Sequence, residues 1–285
     1  MLDVNFRSTV PSWLRTVATN AANKWKGIIT SDYQHTFTVP NNNCPGVTAG
    51  TQVDDNLVSI GYEYIDGSSG ANTLAYAGTC FYSLGKSRVC AIVMDSSNFA
   101  SSGSSVLAYN VIIHEIGHCL GLAGTAWRNN NLADSNYKYL GANANAQLAG
   151  LGANHNQALI EDQYGDGSRG SHWRESVYDS EVMTSIAEFS TMPLSRLTIG
   201  ALEDLGYKVD YSKADAYTVP SPNGRRLRKK KGIPFHSSVM KLPFESEDSG
   251  FENLQEKERH GKGKGKGKGK GKGKGKGKGK GKGKK

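Results

Sequence analysis

Residues 111–124 read Val111-Ile112-Ile113-His114-Glu115-Ile116-Gly117-His118-Cys119-Leu120-Gly121-Leu122-Ala123-Gly124. On a helix, His114 and His118 lie four positions apart and project from one face, about 5–6 Å from each other. That spacing suits two imidazoles on one tetrahedral zinc. Glu115 sits one residue round, where it does not readily become a third ligand but can touch a metal-bound water. The flanking residues Val106, Leu107, Val111, Ile112, Ile113, Ile116 and Leu120 are apolar. A buried apolar helix carrying two histidines and a glutamate is costly unless those groups have partners, and a metal supplies them. Gly121, three residues past His118, can end the helix by taking a positive φ.

A catalytic zinc takes three protein ligands and keeps one open position. His35, His155, His172, His236 and His260 remain as candidates for the third. A compact motif would place a histidine three residues after Gly121. Gly124 stands there, so the third ligand must return from further along the chain.

Outside this stretch, residues 1–218 read as one globular domain. Ser12 to Ile29 puts Trp13, Leu14, Val17, Ala21, Trp25 and Ile28 on one helical face, with Pro11 near its start. Val58, Ile60, Tyr62 and Tyr64 alternate as in a half-buried strand, and Val89 to Met94 reads as a central strand. Ser105 to Leu120 forms the helix carrying the histidines, preceded by a serine-rich loop suited to capping. Ser195 to Leu205 forms a further helix, stopped at Gly206. Between these helices, residues 129–170 are rich in Asn, Ala and Gly, a long turn-rich stretch that is usually functional or disordered.

Charge divides the chain. Lys and Arg total 35 against 26 Asp and Glu, a net of +9. Residues 261–285 are a Gly-Lys repeat, and removing its 13 lysines takes the net to −4. Residues 1–220 hold 13 basic and 20 acidic residues, so the expected domain is mildly acidic and offers no basic groove for specific nucleic-acid binding. Residues 219–260, with the cluster Arg225, Arg226, Arg228, Lys229, Lys230 and Lys231, and the repeat after them read as disordered. The repeat would attract polyanions only non-specifically. No run of 18 uninterrupted apolar residues suggests a membrane span, and the first 30 residues show no signal-peptide pattern. Four cysteines permit two disulfides in three connectivities, or plain buried thiols.

The chain resembles the leishmanolysin family of metzincin proteases. His172-Trp173 followed by Glu181-Val182-Met183-Thr184 resembles that family's third histidine and Met-turn. Trp25-Lys26-Gly27-Ile28-Ile29, Asp54-Asp55, Ile65-Asp66-Gly67, Gly78-Thr79-Cys80, Leu194-Ser195-Arg196-Leu197-Thr198 and Leu202-Glu203-Asp204-Leu205-Gly206-Tyr207 extend the likeness over roughly residues 10–218. The resemblance implies an α+β metzincin-like domain: a mixed twisted sheet, an active-site helix, then a Met-turn and a C-terminal helix. It implies one Zn²⁺ per chain on His114, His118 and His172, with Met183 beneath the metal. His155 ranks behind His172 as third ligand because no Trp and Met follow it.

The expected chemistry is hydrolysis of internal peptide bonds in proteins. Zinc would lower the pKa of a water toward about 7, and Glu115 would act as general base and then acid, with no covalent intermediate. The strand around Val89 to Met94 is expected to offer an edge to an extended peptide. Cys119 should face away from the metal, since a helix turns about 100° per residue. The resemblance implies a secreted or cell-surface location, and the expected state is a monomer acting on protein or peptide substrates. The alternative is a catalytically silent zinc-binding adhesion or structural protein, which would not require Glu115.

Overall fold

The computed structural model describes residues 2–33, 35–66, 73–165, 167–221 and 232–234. The expectations for the basic cluster at 225–231, His236, His260 and the Gly-Lys repeat lie outside these residues, apart from the strand at 232–234 described below.

The chain begins with strand β1 (Leu2–Phe6) and helix α1 (Ser12–Ile28). Leu14, Ala18, Ala21, Ala22, Trp25 and Ile28 form the buried face of α1, as the periodicity predicts, with Trp13 and Val17 only partly covered. A small hairpin follows, β2 (Phe37–Thr38) with β3 (Gln52–Val53), and then β4 (Asn56–Glu63), β5 (Ala75–Ser83) and β6 (Lys86–Asp95). The main sheet has the order β1-β4-β6-β5. β1 runs parallel to β4 and β4 parallel to β6, while β5 returns antiparallel to β6. The parallel step from β1 to β4 needs a long connection, and it contains α1.

Two strand expectations change. β4 is not half-buried: Val58, Ser59, Ile60 and Gly61 are all covered, and Leu57 and the strand's end, with Tyr64 just beyond, meet solvent. A strand hydrogen-bonded on both sides and packed on both faces loses the alternation of a one-faced strand. The Val89–Met94 segment lies in β6, which is paired on both sides and offers no edge. Among the described residues, the free edge beside it belongs to β5.

Helix α2 (Ser105–Cys119) packs on α1, β5 and β6. Leu107, Ala108 and every residue from Asn110 to Cys119 are buried. The helical run Ser102–Asn129 is long and apolar enough to cross a membrane by length and composition, but 78% of its apolar window is buried inside the fold, as befits a core helix. The serine-rich loop does not cap α2 through a side chain. It forms a 3₁₀ turn, Ser102–Ser104, that leads into the helix.

After α2 come the short helices α3 (Gly124–Asn129), α4 (Ala142–Gln147) and α5 (Glu175–Tyr178), strand β7 (Ile186–Glu188), helix α6 (Arg196–Asp204) and strand β8 (Gly232–Pro234). Described residues of the 129–170 stretch pack on the core and do not form a loose insertion. It buries Tyr139, Ala144, Leu148, Leu151, Ala158 and Ile160. α4 packs on α6, where the Asp204 carboxylate accepts from the backbone N–H groups of Asn143 and Ala144 at 2.8 and 3.0 Å. β8 pairs antiparallel with β7, and Ile233 packs against the main core.

All four cysteines are paired. Cys44–Cys80 ties a loop to β5, and Cys90–Cys119 ties β6 to the end of α2. The buried-thiol alternative falls. Cys119 points at the sheet, away from His118's imidazole partners, as the helical turn requires.

Candidate metal centre

The site starts from how α2 ends. Gly121 takes φ +100°, open to glycine without steric cost. The Gly121 N–H donates to the His118 carbonyl and the Leu122 N–H to that of Gly117, both at 3.0 Å, the paired bonds of a Schellman turn. This turn brings the Leu122 carbonyl back to His118 Nδ1, at 2.7 Å. His114 Nδ1 meets the Val182 carbonyl at 2.7 Å, and His172 Nδ1 meets the Ser168 carbonyl at 3.0 Å.

A carbonyl oxygen only accepts, so each Nδ1 carries the proton. In a neutral ring Nε2 is then a bare lone pair. Burial, with the neighbouring histidines adding to it at His114 and His118, pushes all three pKa values down: His114 well below the usual range, His118 to about 3 and His172 to about 4. The rings are therefore neutral at pH 7.

The three Nε2 atoms converge. His172 Nε2 lies 3.1 Å from that of His114 and 3.2 Å from that of His118. With every proton on Nδ1, these are lone pairs facing lone pairs, which repel unless a cation lies among them. Two nitrogens on one tetrahedral zinc, each 2.0–2.1 Å from it, stand about 3.3 Å apart. The donor set, the spacing and the tautomers all fit zinc. Among the described residues, two groups of metal-ligating side chains stand close enough to share an ion. One is His114, His118 and His172, and the other is the largely exposed acidic trio Asp32, Asp54 and Asp55.

Glu115 is wholly buried, and neither carboxylate oxygen has a hydrogen-bond partner among the described residues. Burial alone pushes its pKa up to about 8. An orphaned buried carboxylate is costly, and this one is next in the chain to His114.

His172 is carried on a short extended segment. Trp173 bridges Ile160 on one side and Thr184 on the other, and the Trp173 N–H donates to the Met183 carbonyl at 2.9 Å. The Trp173 ring stacks on Trp127, with centroids 5.0 Å apart, and meets Tyr139 edge-on. Met183 is buried directly under α2. A Cβ built on Gly117 would stand 2.6 Å from its sulfur, so glycine here lets the Met183 side chain lie directly against the helix.

A family model described as leishmanolysin, a peptidase family, matches residues 16–233. The chain belongs to the leishmanolysin family. Its members are zinc metallopeptidases, and the histidine trio agrees with that chemistry. No individual curated protein matches the chain.

The other sequence candidates lie elsewhere. His155 is only half-buried, within the 129–170 stretch, with Nε2 2.8 Å from the Tyr178 hydroxyl. His35 is exposed, and its carbonyl accepts from Arg88. Sequence reasoning did not foresee the backbone carbonyls of Leu122, Ser168 and Val182, because every residue type carries one. It also passed over Asn110, a buried amide one turn before His114. Its Nδ2 donates to the carbonyls of Glu188 and Ser190 at 2.9 and 2.7 Å, pinning β7 along α2. An Asn inside an otherwise apolar helix was the available signal.

Proposed function

We propose that this chain is a zinc-dependent endopeptidase with His114, His118 and His172 as ligands, Glu115 as general base and Met183 as the Met-turn residue. The observation that carries the reading is the convergence of three Nε2 lone pairs at 3.1–3.2 Å beside a buried, partnerless glutamate. When bound, zinc supplies Lewis-acid chemistry at one open position, activating a water and polarising a carbonyl. The Nδ1–H bonds to backbone carbonyls hold each ring in the tautomer that presents Nε2, and they raise its basicity. A cation held by the histidines would offset the burial that raises the Glu115 pKa and favour its carboxylate, which would take a proton from the attacking water as the C–O bond forms and deliver it to the departing amine as the C–N bond breaks. No serine, cysteine or threonine nucleophile takes part. An extended peptide would pair with the free edge of β5, which packs against α2, gaining affinity from backbone hydrogen bonds.

The reading includes a secreted or cell-surface site of action, protein or peptide substrates, a monomeric enzyme and a catalytic unit spanning residues 1–218. The test is cleavage of a generic protein by the zinc-loaded chain, with and without a chelator, alongside Glu115→Ala. Wild type should cleave, the chelator should abolish cleavage, and Glu115→Ala should keep its zinc but lose at least about 10²–10⁴ in rate. A zinc-loaded wild type that cleaves nothing would support the silent zinc-binding alternative instead.

A further inference from the structure

A second glutamate near the centre is buried without belonging to the hydrolytic machinery. Glu181 is fully buried and faces four donors. Its Oε2 accepts from the Met183 N–H at 2.7 Å. Its Oε1 accepts from the Ser195 N–H at 3.1 Å, the Ser195 hydroxyl at 2.8 Å and the Thr198 hydroxyl at 2.6 Å.

Two chains of hydrogen bonds run from this carboxylate to the ligands. In the first, the Trp173 indole N–H donates to the Thr198 hydroxyl at 2.8 Å, which donates onward to Glu181; Trp173 adjoins His172. In the second, the bond to the Met183 N–H fixes the peptide that joins Val182 to Met183. The Val182 carbonyl of that peptide is the acceptor for His114 Nδ1. Both chains pass through fully buried groups and link the carboxylate to two of the three imidazoles.

We propose that Glu181 is the positioning residue of the metal centre, setting the orientation of His114 through the Val182 carbonyl and of His172 through Thr198 and Trp173. The inference rests on the zinc reading above. A carboxylate is required because each of its oxygens faces a backbone N–H, of Met183 and of Ser195, that can only donate. Glutamine, of the same shape, must turn its NH₂ toward at least one of them. The turn with the fewest lost bonds keeps the oxygen on Ser195 and Thr198 and sets the NH₂ against the Met183 N–H. That breaks the bond nearest His114 while leaving the volume unchanged.

The experiment uses the full chain and two readouts other than activity: zinc affinity by chelator competition, and the visible spectrum of the cobalt-substituted protein. Glu181→Gln should bind zinc about 10–100-fold more weakly, the range for losing a ligand's supporting partner, and should alter the cobalt bands. Thr198→Val should weaken zinc binding in the same direction, and Thr198→Ser should restore it. Val39→Ala, in the separate small core cluster, serves as a control that lowers thermal stability without touching the site. It should leave both readouts unchanged.

A folded Glu181→Gln with wild-type affinity and spectrum overturns the inference. So does Val39→Ala with the same affinity loss, because general loosening would then suffice. If Glu181→Gln does not fold, Thr198→Val decides, and wild-type zinc binding there overturns the inference equally. A wild type that takes up no zinc would sink the zinc reading and this inference with it. Zinc uptake with indifferent variants would sink the inference alone.

Discussion

Which imidazole nitrogen faces the cation is decided by its opposite neighbour. Leu122, Val182 and Ser168 each lend a carbonyl to an Nδ1–H, and the three Nε2 atoms are left to converge. His172 completes the set, whereas His155 lies with Tyr178. His172→Ala should therefore lose zinc on dialysis while His155→Ala keeps it, and metal content measured on both variants checks this. Equal retention would remove His172 from the site. In metal-stripped protein the buried groups act in opposite directions on stability. His118 and His172 have folded pKa values of about 3 and about 4, below the usual 6.5. Their contribution is complete above about pH 6.5 and lost as pH falls through that window. Glu115 is raised from 4.5 to about 8, so the fold keeps a proton that the unfolded chain releases. Its contribution falls as pH rises from 4.5 to 8, by at most about 1.4 kcal/mol per pH unit. Metal-stripped Glu115→Gln should match wild type near pH 4.5 and exceed it in stability by pH 8. Denaturant titrations at pH 5, 6.5 and 8 test this, and parallel curves for the two proteins would contradict it.

Helix α2 carries His114 and His118, two of the three converging histidines, and Glu115, the proposed general base, and its setting matters as much as its sequence. Trp25 of α1 donates its indole N–H to the Ile113 carbonyl at 2.9 Å, one residue before His114. Asn110 holds β7 alongside, and Cys90–Cys119 fastens the last turn to β6. This disulfide closes a loop with a sequence separation of 29 residues. By the chain-entropy account its loss should cost about 3–4 kcal/mol. The double variant Cys90→Ala/Cys119→Ala should unfold at correspondingly lower denaturant yet still bind one equivalent of zinc, since neither sulfur is a ligand. Unfolding curves and metal content together check it. Loss of zinc from a folded double variant would mean that the bridge, and not only the helix, places His118.

At the scale of the whole molecule, the sheet and α1 hold α2 from one side, and the segment from 129 to 221 brings back His172, Met183 and α6 from the other. Every group assigned to the chemistry lies before residue 184. β8 adds pairing to β7 and buries part of Ile233, which contributes stability but no reacting group. A chain ending at Pro220 should therefore bind zinc and cleave peptides with the specific activity of the full chain, at some cost in stability from the unpaired β7 edge. Activity per bound zinc in the two forms is the comparison. A soluble, zinc-loaded but inactive short form would place part of the enzyme beyond residue 220. The full chain alone should adsorb to anionic surfaces through its lysine repeat. That adsorption should fade with salt as the screening length drops to about 8 Å and below.

The sequence by itself determined what local spacing and backbone chemistry determine. The helix at 105–119 follows from its apolar run, the two-histidine face from the i, i+4 interval, and the helix stop from a glycine able to take positive φ. His172 and Met183 were legible only through resemblance, because 54 residues separate His172 from His118 and no local rule spans that gap. The tertiary structure decided which strand keeps a free edge, since β6 gained a partner on each side and β5 did not. It also decided that the stretch around Tyr139, Leu148, Leu151 and Ile160, polar and turn-rich as its surroundings read, contributes these side chains to the core. Cysteine pairing was likewise open to three connectivities until the fold brought each sulfur to its partner. Above all, the carbonyls that fix the histidine tautomers come from residues 122, 168 and 182, and a backbone carbonyl leaves no trace in the identity of the residue that bears it.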